Sequence, residues 1–100
     1  MYLTEFDVND DGVEADDPTT RDRAVAAVYK DYLDIALEDK AVKAVLTWGV
    51  SDKDTWLNGL REHREKRPSR RQRPLPFDGD LKPTAPFFAM RDAFDKAPHR

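Results

Sequence analysis

Glu5 and Asp7 stand two residues apart in Leu3-Thr4-Glu5-Phe6-Asp7-Val8, a short apolar run with strand character. Ionised carboxylates on such a run must be paired, hydrogen-bonded or put to work. On a regular strand residues i and i+2 project to one face, so the pair predicts a polar, acidic face. A second run, Val45-Leu46-Thr47-Trp48-Gly49-Val50-Ser51-Asp52, follows about 40 residues later, with Trp56 close behind. Carboxylates at the end of one strand and tryptophans at the end of another point to sugar chemistry. A retaining glycosidase uses one carboxylate as nucleophile and a second, roughly 5–5.5 Å away, as general acid/base. An indole offers an apolar face to the C–H surface of a pyranose and an N–H to a hydroxyl. Taken alone, a strand-end glutamate in an ion pair and two core tryptophans would produce the same residues.

The elements that must carry these residues follow from periodicity. Residues 2–8 read as a strand, with Tyr2, Phe6 and Val8 suited to a pleated surface. Asn9 to Asp17 is an acidic loop containing Gly12. Asp17-Pro18 starts a helix, with an N-cap followed by Pro in the first turn, and the helix extends over 18–39. Its expected buried stripe is Val25, Val28, Tyr32 and Ile35, widened by Ala24, Leu33 and Ala36. Residues 42–48 form a second strand, apolar enough to be covered on both sides. No periodicity appears over 49–82, a length that in a compact domain marks a functional or disordered loop. A last helix is expected over 83–97, burying Phe87, Met90, Ala93 and Phe94. The β-α-β-α order predicts an α/β protein with parallel pairing.

Three blocks in order resemble the C-terminal part of the family-10 glycoside hydrolases, the endo-1,4-β-xylanases. Leu3-Thr4-Glu5-Phe6-Asp7-Val8 resembles the family's nucleophile signature. Thr47-Trp48-Gly49-Val50-Ser51-Asp52, with Thr55-Trp56, resembles the next barrel strand and its loop. Arg73-Pro74-Leu75-Pro76-Phe77-Asp78 and Lys82-Pro83 resemble the approach to the last helix. The resemblance implies one partial domain over 1–100, the last two βα units of a (β/α)8 TIM-type barrel. A whole barrel needs roughly 250 residues. It implies Glu5 as nucleophile, Asp7 as support for a histidine beside it, and Trp48 and Trp56 as walls of the sugar pocket. The substrate would be β-1,4-xylan or a xylo-oligosaccharide, and no cofactor or metal is implied. The supporting histidine belongs to an earlier strand, whereas His63 and His99 both follow Glu5. Nothing in the 100 residues matches the family's acid/base motif. The isolated chain is therefore expected to be inactive. The alternative is a non-catalytic barrel module that self-associates or pairs with a complementary fragment.

Composition narrows the rest. Hydrophobic residues make up 39% and charged residues 37%, a lean core for a free-standing domain. A net charge of −3 selects no partner class, and the absence of cysteine excludes disulfides and thiolate metal sites. No apolar stretch is long enough for a membrane span, and no basic n-region with an apolar h-region opens the chain. Family members are commonly exported, so the missing signal, like a strand abutting Met1, fits a fragment; the location of this chain stays open. Asp7-x-Asn9-x-Asp11-Gly12 matches half a calcium loop, but the bidentate Glu would fall on Pro18 and no helix precedes it. The stretch 61–73 holds seven Lys or Arg and two Glu. Without interleaved aromatics it reads as a solvated loop and not as a nucleic-acid site.

Overall fold

The computed structural model describes residues 1–14, 17–66 and 70–99. Strand β1 (Tyr2–Phe6) leads to helix α1 (Pro18–Ala36), then to strand β2 (Ala44–Thr47). Two single-turn 3-10 helices (Asp52–Asp54 and Trp56–Gly59) and the short α2 (Arg61–Lys66) fill the long connection before α3 (Ala85–Lys96). The two strands pair in parallel, and both helices pack on the same core.

Each element is shorter than the periodicity predicts, for identifiable reasons. The second strand begins at Ala44 because Val42 N–H is spent on Asp39 C=O in the preceding turn. Helix α1 ends at Ala36 because Glu38 and Asp39 donate to carbonyls only three residues back, the tightening typical of a final turn. Its start is as expected: Asp17 caps the first turn, its Oδ2 accepting from Thr20 N–H at 3.0 Å, with Pro18 next. Helix α3 starts at Ala85, after Thr84 in extended conformation.

The buried stripe of α1 differs from the expected one. Arg21, Val25, Tyr29 and Leu33 face inward, four residues apart, and Leu37 continues the row. Val28, Tyr32 and Ile35 lie outside at 49%, 50% and 72% exposure. A 100° step per residue puts these three about 95° to one side of the buried row, on a flank where Phe6 reaches only Tyr32, ring centroids 5.2 Å apart. The sequence offers two overlapping apolar stripes, and only the direction from which β1 approaches selects between them. Phe6 lies against both, edge-on to Tyr29 with ring centroids 4.8 Å apart and tilted on Tyr32 at 5.2 Å, and only Tyr29 is fully buried. The Tyr29 hydroxyl donates to Pro74 C=O. On α3, Ala93 is buried while Phe94 remains 46% exposed and Phe87 packs on Phe77 instead.

The connection over 49–82 is folded, not an open loop. Phe77 N–H donates to Val50 C=O at 3.1 Å and Asp52 N–H to Phe77 C=O at 2.9 Å. These two bonds form an isolated parallel bridge between Ser51 and Phe77, outside the two-stranded sheet. Ser51 Oγ donates to Asp78 C=O at 2.7 Å and Leu75 N–H to Asp52 Oδ1 at 2.8 Å. These are long-range bonds between irregular segments, which no local pattern reports.

Candidate active site

Glu5 is the penultimate residue of β1, and its side chain is exposed. Its backbone is in the left-handed region, φ 56°. From Leu3 to Phe6 the first strand advances three residues while β2 advances two, Val45 to Thr47, so one extra residue is inserted. That is a β-bulge, a device that re-aims side chains and recurs next to active sites. A non-glycine residue with positive φ costs roughly 1–2 kcal/mol, and such outliers cluster at functional positions. The bulge overturns the simple alternation argument. Leu3 and Phe6 both reach the helical core, and Glu5, which a regular strand would turn the same way as Leu3, is exposed instead. Among the described residues no hydrogen bond or ion pair ties its carboxylate.

Parallel pairing brings the other sequence-predicted residues to the same end of the sheet. Trp48 follows β2 directly, and its backbone N–H donates to Phe6 C=O at 2.9 Å. Gly49, with φ 106°, turns the chain there, where a Cβ would come within 3.2 Å of the Leu75 side chain. Trp56 sits in the 3-10 turn 56–59, and its Nε1–H donates to Asp7 Oδ2 at 2.7 Å. Both indoles are 50% exposed. Half-exposed tryptophans are not core residues, and each leaves part of its ring open to solvent. Asp7 is thus held by Trp56. Neither described histidine reaches it: His63 is buried and lies 2.5 Å from Asp11 Oδ1 through its Nδ1. Burial raises the Asp7 carboxyl above the usual range, an effect partly offset by the Trp56 N–H.

Several oxygens of the calcium-like stretch accept hydrogen bonds from protein donors. Asn9 Oδ1 accepts from Asp11 N–H at 2.8 Å and Gln72 Nε2 at 2.9 Å. Asp10 is fully buried; its Oδ2 accepts from Arg73 N–H at 2.8 Å and faces Arg21 Nη1 at 3.4 Å. No group of three metal-ligating side chains occurs among the described residues, and no described helix is long and apolar enough to cross a membrane.

The basic stretch 61–73 is not simply a solvated loop. Residues 67–69 lie outside the described ones. Of the rest, Arg70 donates to Asp10 C=O at 2.7 Å and to Val13 C=O at 2.9 Å. Arg73 forms a two-point pair with Asp22 at 2.7 and 2.9 Å. Arg61 pairs only with Glu65 on the surface. The stretch is half anchor and half solvated face. Its run of charge reads the same in both cases, because the anchoring carboxylates are 50 to 60 positions away.

Asp52 is a further carboxylate without a sequence signal. It is 5% exposed, and burial pushes it up to about 7 from 3.8, against the lowering effects of Leu75 N–H and Arg73. Asp22 and Asp10 add to the rise. The folded state therefore holds an extra proton between about 4 and about 7. The stabilisation is full below 4 and disappears as pH rises through 7. Asp52→Asn keeps an acceptor for Leu75 and removes the titration. Relative to this variant, the parent should lose stability from pH 4.5 to 7.5, by at most about 1.4 kcal/mol per pH unit. Urea unfolding across that range measures the difference, and parallel curves would refute it.

Comparison with known proteins matches this geometry to a family. The model of glycosyl hydrolase family 10 matches residues 1–93. A thermostable celloxylanase from Thermoclostridium stercorarium is 38% identical over 65 residues, which cover 64% of this chain and 15% of that protein. Native xylanase 10B from Thermotoga maritima superposes with a TM-score of 0.75 at 27% identity, over 95% of this chain and 26% of that one. Xylanase 10B from Thermotoga petrophila RKU-1, solved in complex with xylobiose, gives 0.75 at 26% identity, again over 95% and 26%. The chain spans about a quarter of the length of these solved xylanases, and its two βα units are a portion of their (β/α)8 barrel. The chain belongs to glycosyl hydrolase family 10.

Proposed function

We propose that this chain carries the nucleophile side of a retaining endo-1,4-β-xylanase site. The observation that carries the reading is Glu5. It stands exposed in a bulged, left-handed position at the carboxyl end of a parallel strand, in a chain of this family. Catalytic residues of such barrels come from the carboxyl ends of strands. Glu5 Oε would attack the anomeric carbon of a xylosyl unit as the aglycone leaves, forming a glycosyl-enzyme ester. A second carboxyl group first protonates the leaving oxygen and then deprotonates the water that cleaves the ester. That second group must come from another part of a complete barrel. Trp48 and Trp56 supply apolar faces for the sugar, and Asp7 fixes the Trp56 indole through its N–H.

The 100-residue chain by itself is expected not to hydrolyse xylan, since protonation of the leaving group has no provider. A reducing-sugar assay on the purified chain checks this. Turnover that disappears in Glu5→Gln would show that the chain or its oligomer does provide the acid. Self-association is a second reading, favoured by one observation: among the described residues each of the two strands leaves one edge unpaired in the two-stranded sheet, and unpaired edges recruit strands. Sedimentation of the same sample separates an assembling module from a monomer.

A further inference from the structure

Gln72 has no place in the chemistry above, yet it is fully buried and touches both halves of the candidate site. Its Oε1 accepts from Asp10 N–H at 2.7 Å and its Nε2 donates to Asn9 Oδ1 at 2.9 Å. Asn9 and Asp10 immediately follow the segment bearing Glu5 and Asp7. On the other side, Gln72 N–H donates to Asn58 Oδ1 at 2.7 Å. Asn58 belongs to the same 3-10 turn as Trp56. The contacts close a circuit: Asp7, Asn9, Gln72, Asn58, Trp56 and back to Asp7 through the indole N–H.

The two ties across this circuit differ in strength. The bond from Trp56 to Asp7 is exposed, where water competes for both partners. The ties through Gln72 are buried or half-buried, where a lost partner leaves an unsatisfied group in low dielectric. The buried joint is therefore the part that sets where the Trp56 turn stands relative to β1. Trp48 is held differently, by its own backbone bond to Phe6, and does not depend on Gln72.

We propose that Gln72, acting through Asn58, is a positioning residue that holds the Trp56 face in register with the end of the first strand for stacking on a xylo-oligosaccharide. The ligand class rests on the reading of Trp56 as a sugar wall; the positioning itself rests only on the circuit. Asn58→Ala removes the acceptor for Gln72 N–H at a half-buried position. Asn58→Asp keeps that acceptor, and the Asn58 Nδ2 it removes has no partner among the described residues.

The two indole N–H signals of the full 100-residue chain, told apart with Trp56→Phe, give the test. In Asn58→Ala the Trp56 indole proton should exchange with solvent about fivefold faster, the equivalent of one lost hydrogen bond. The Trp48 indole proton should be unchanged, and Asn58→Asp should restore the parent rate. On titration with xylotriose, the Trp56 response in Asn58→Ala should weaken by a similar factor while the Trp48 response stays. Equal changes at both indoles, or no change at Trp56, would overturn the assignment and leave Gln72 as ordinary scaffold. If neither indole of the parent responds to xylotriose, the sugar-wall reading fails while the exchange rates still decide the positioning. Gln72→Met, which removes the side-chain contacts with Asp10, Asn9 and His63, should reproduce the Asn58→Ala pattern.

Discussion

Replacing Glu5 by alanine in a completed barrel is expected to abolish xylan hydrolysis. The barrel can be completed by fusing this chain to the N-terminal part of a related xylanase. Loss of the nucleophile removes the covalent route itself, and the fall in kcat should be on the order of 10⁴- to 10⁶-fold, as when other covalent nucleophiles are deleted. The truncation also opens space where the carboxylate stood. A small anion such as azide can enter there and attack the anomeric carbon, so partial rescue should occur with inversion at that carbon. Retained configuration in the azide product, or near-normal hydrolysis without azide, would rule out Glu5 as nucleophile. Trp48→Ala in the same fusion gives the contrast. The indole is half exposed and takes no part in the covalent route, so its loss should weaken sugar binding by about 1–3 kcal/mol and leave the chemistry competent.

Asp10→Ala should be the most damaging single change to folding. Its carboxylate is fully buried among Arg21, Arg70 and the Arg73 backbone N–H, at 3.4, 3.6 and 2.8 Å. A buried ion pair is weak evidence of net stabilisation, because its attraction must first offset desolvation. Removing one partner is a different matter, since the buried Arg21 guanidinium stays in place without this carboxylate. The expected cost is about 3–5 kcal/mol, a large part of the 5–15 kcal/mol typical of a domain. Asp10→Asn should cost less, because its amide oxygen can still accept from Arg73 N–H. Urea unfolding followed by tryptophan fluorescence measures both. A loss below about 1 kcal/mol in Asp10→Ala would mean that the loop after the first strand is not held by this carboxylate. Because that loop leads directly from Asp7, its release should also loosen the Trp56 indole from its acceptor.

The candidate site could be drawn in outline from the sequence because its parts lie in contiguous blocks. Leu3-Thr4-Glu5-Phe6-Asp7 and Thr47-Trp48-Gly49 are local patterns. The order β-α-β-α follows from apolar spacing and from the Asp17-Pro18 cap, both read within a few residues. The chain alone thus determined the order of the two strands and two long helices, the parallel pairing, the family blocks and the location of Glu5 and Trp48 at strand ends. Tertiary structure decided the rest, because the rest depends on partners far apart in sequence. The bulge that re-aims Glu5 is a mismatch between two strands, and neither strand's own pattern contains it. The burial of Val25, Tyr29 and Leu33, with Val28, Tyr32 and Ile35 left outside, depends on the strand and α3 residues that pack on the first row. The burial of Arg70, Gln72 and Arg73 depends on Asn9, Asp10 and Asp22, and a run of charged residues looks identical whether its counter-charges arrive from solvent or from another segment. Local spacing encodes which element forms, but the direction each side chain faces is settled only when a distant segment supplies its partner.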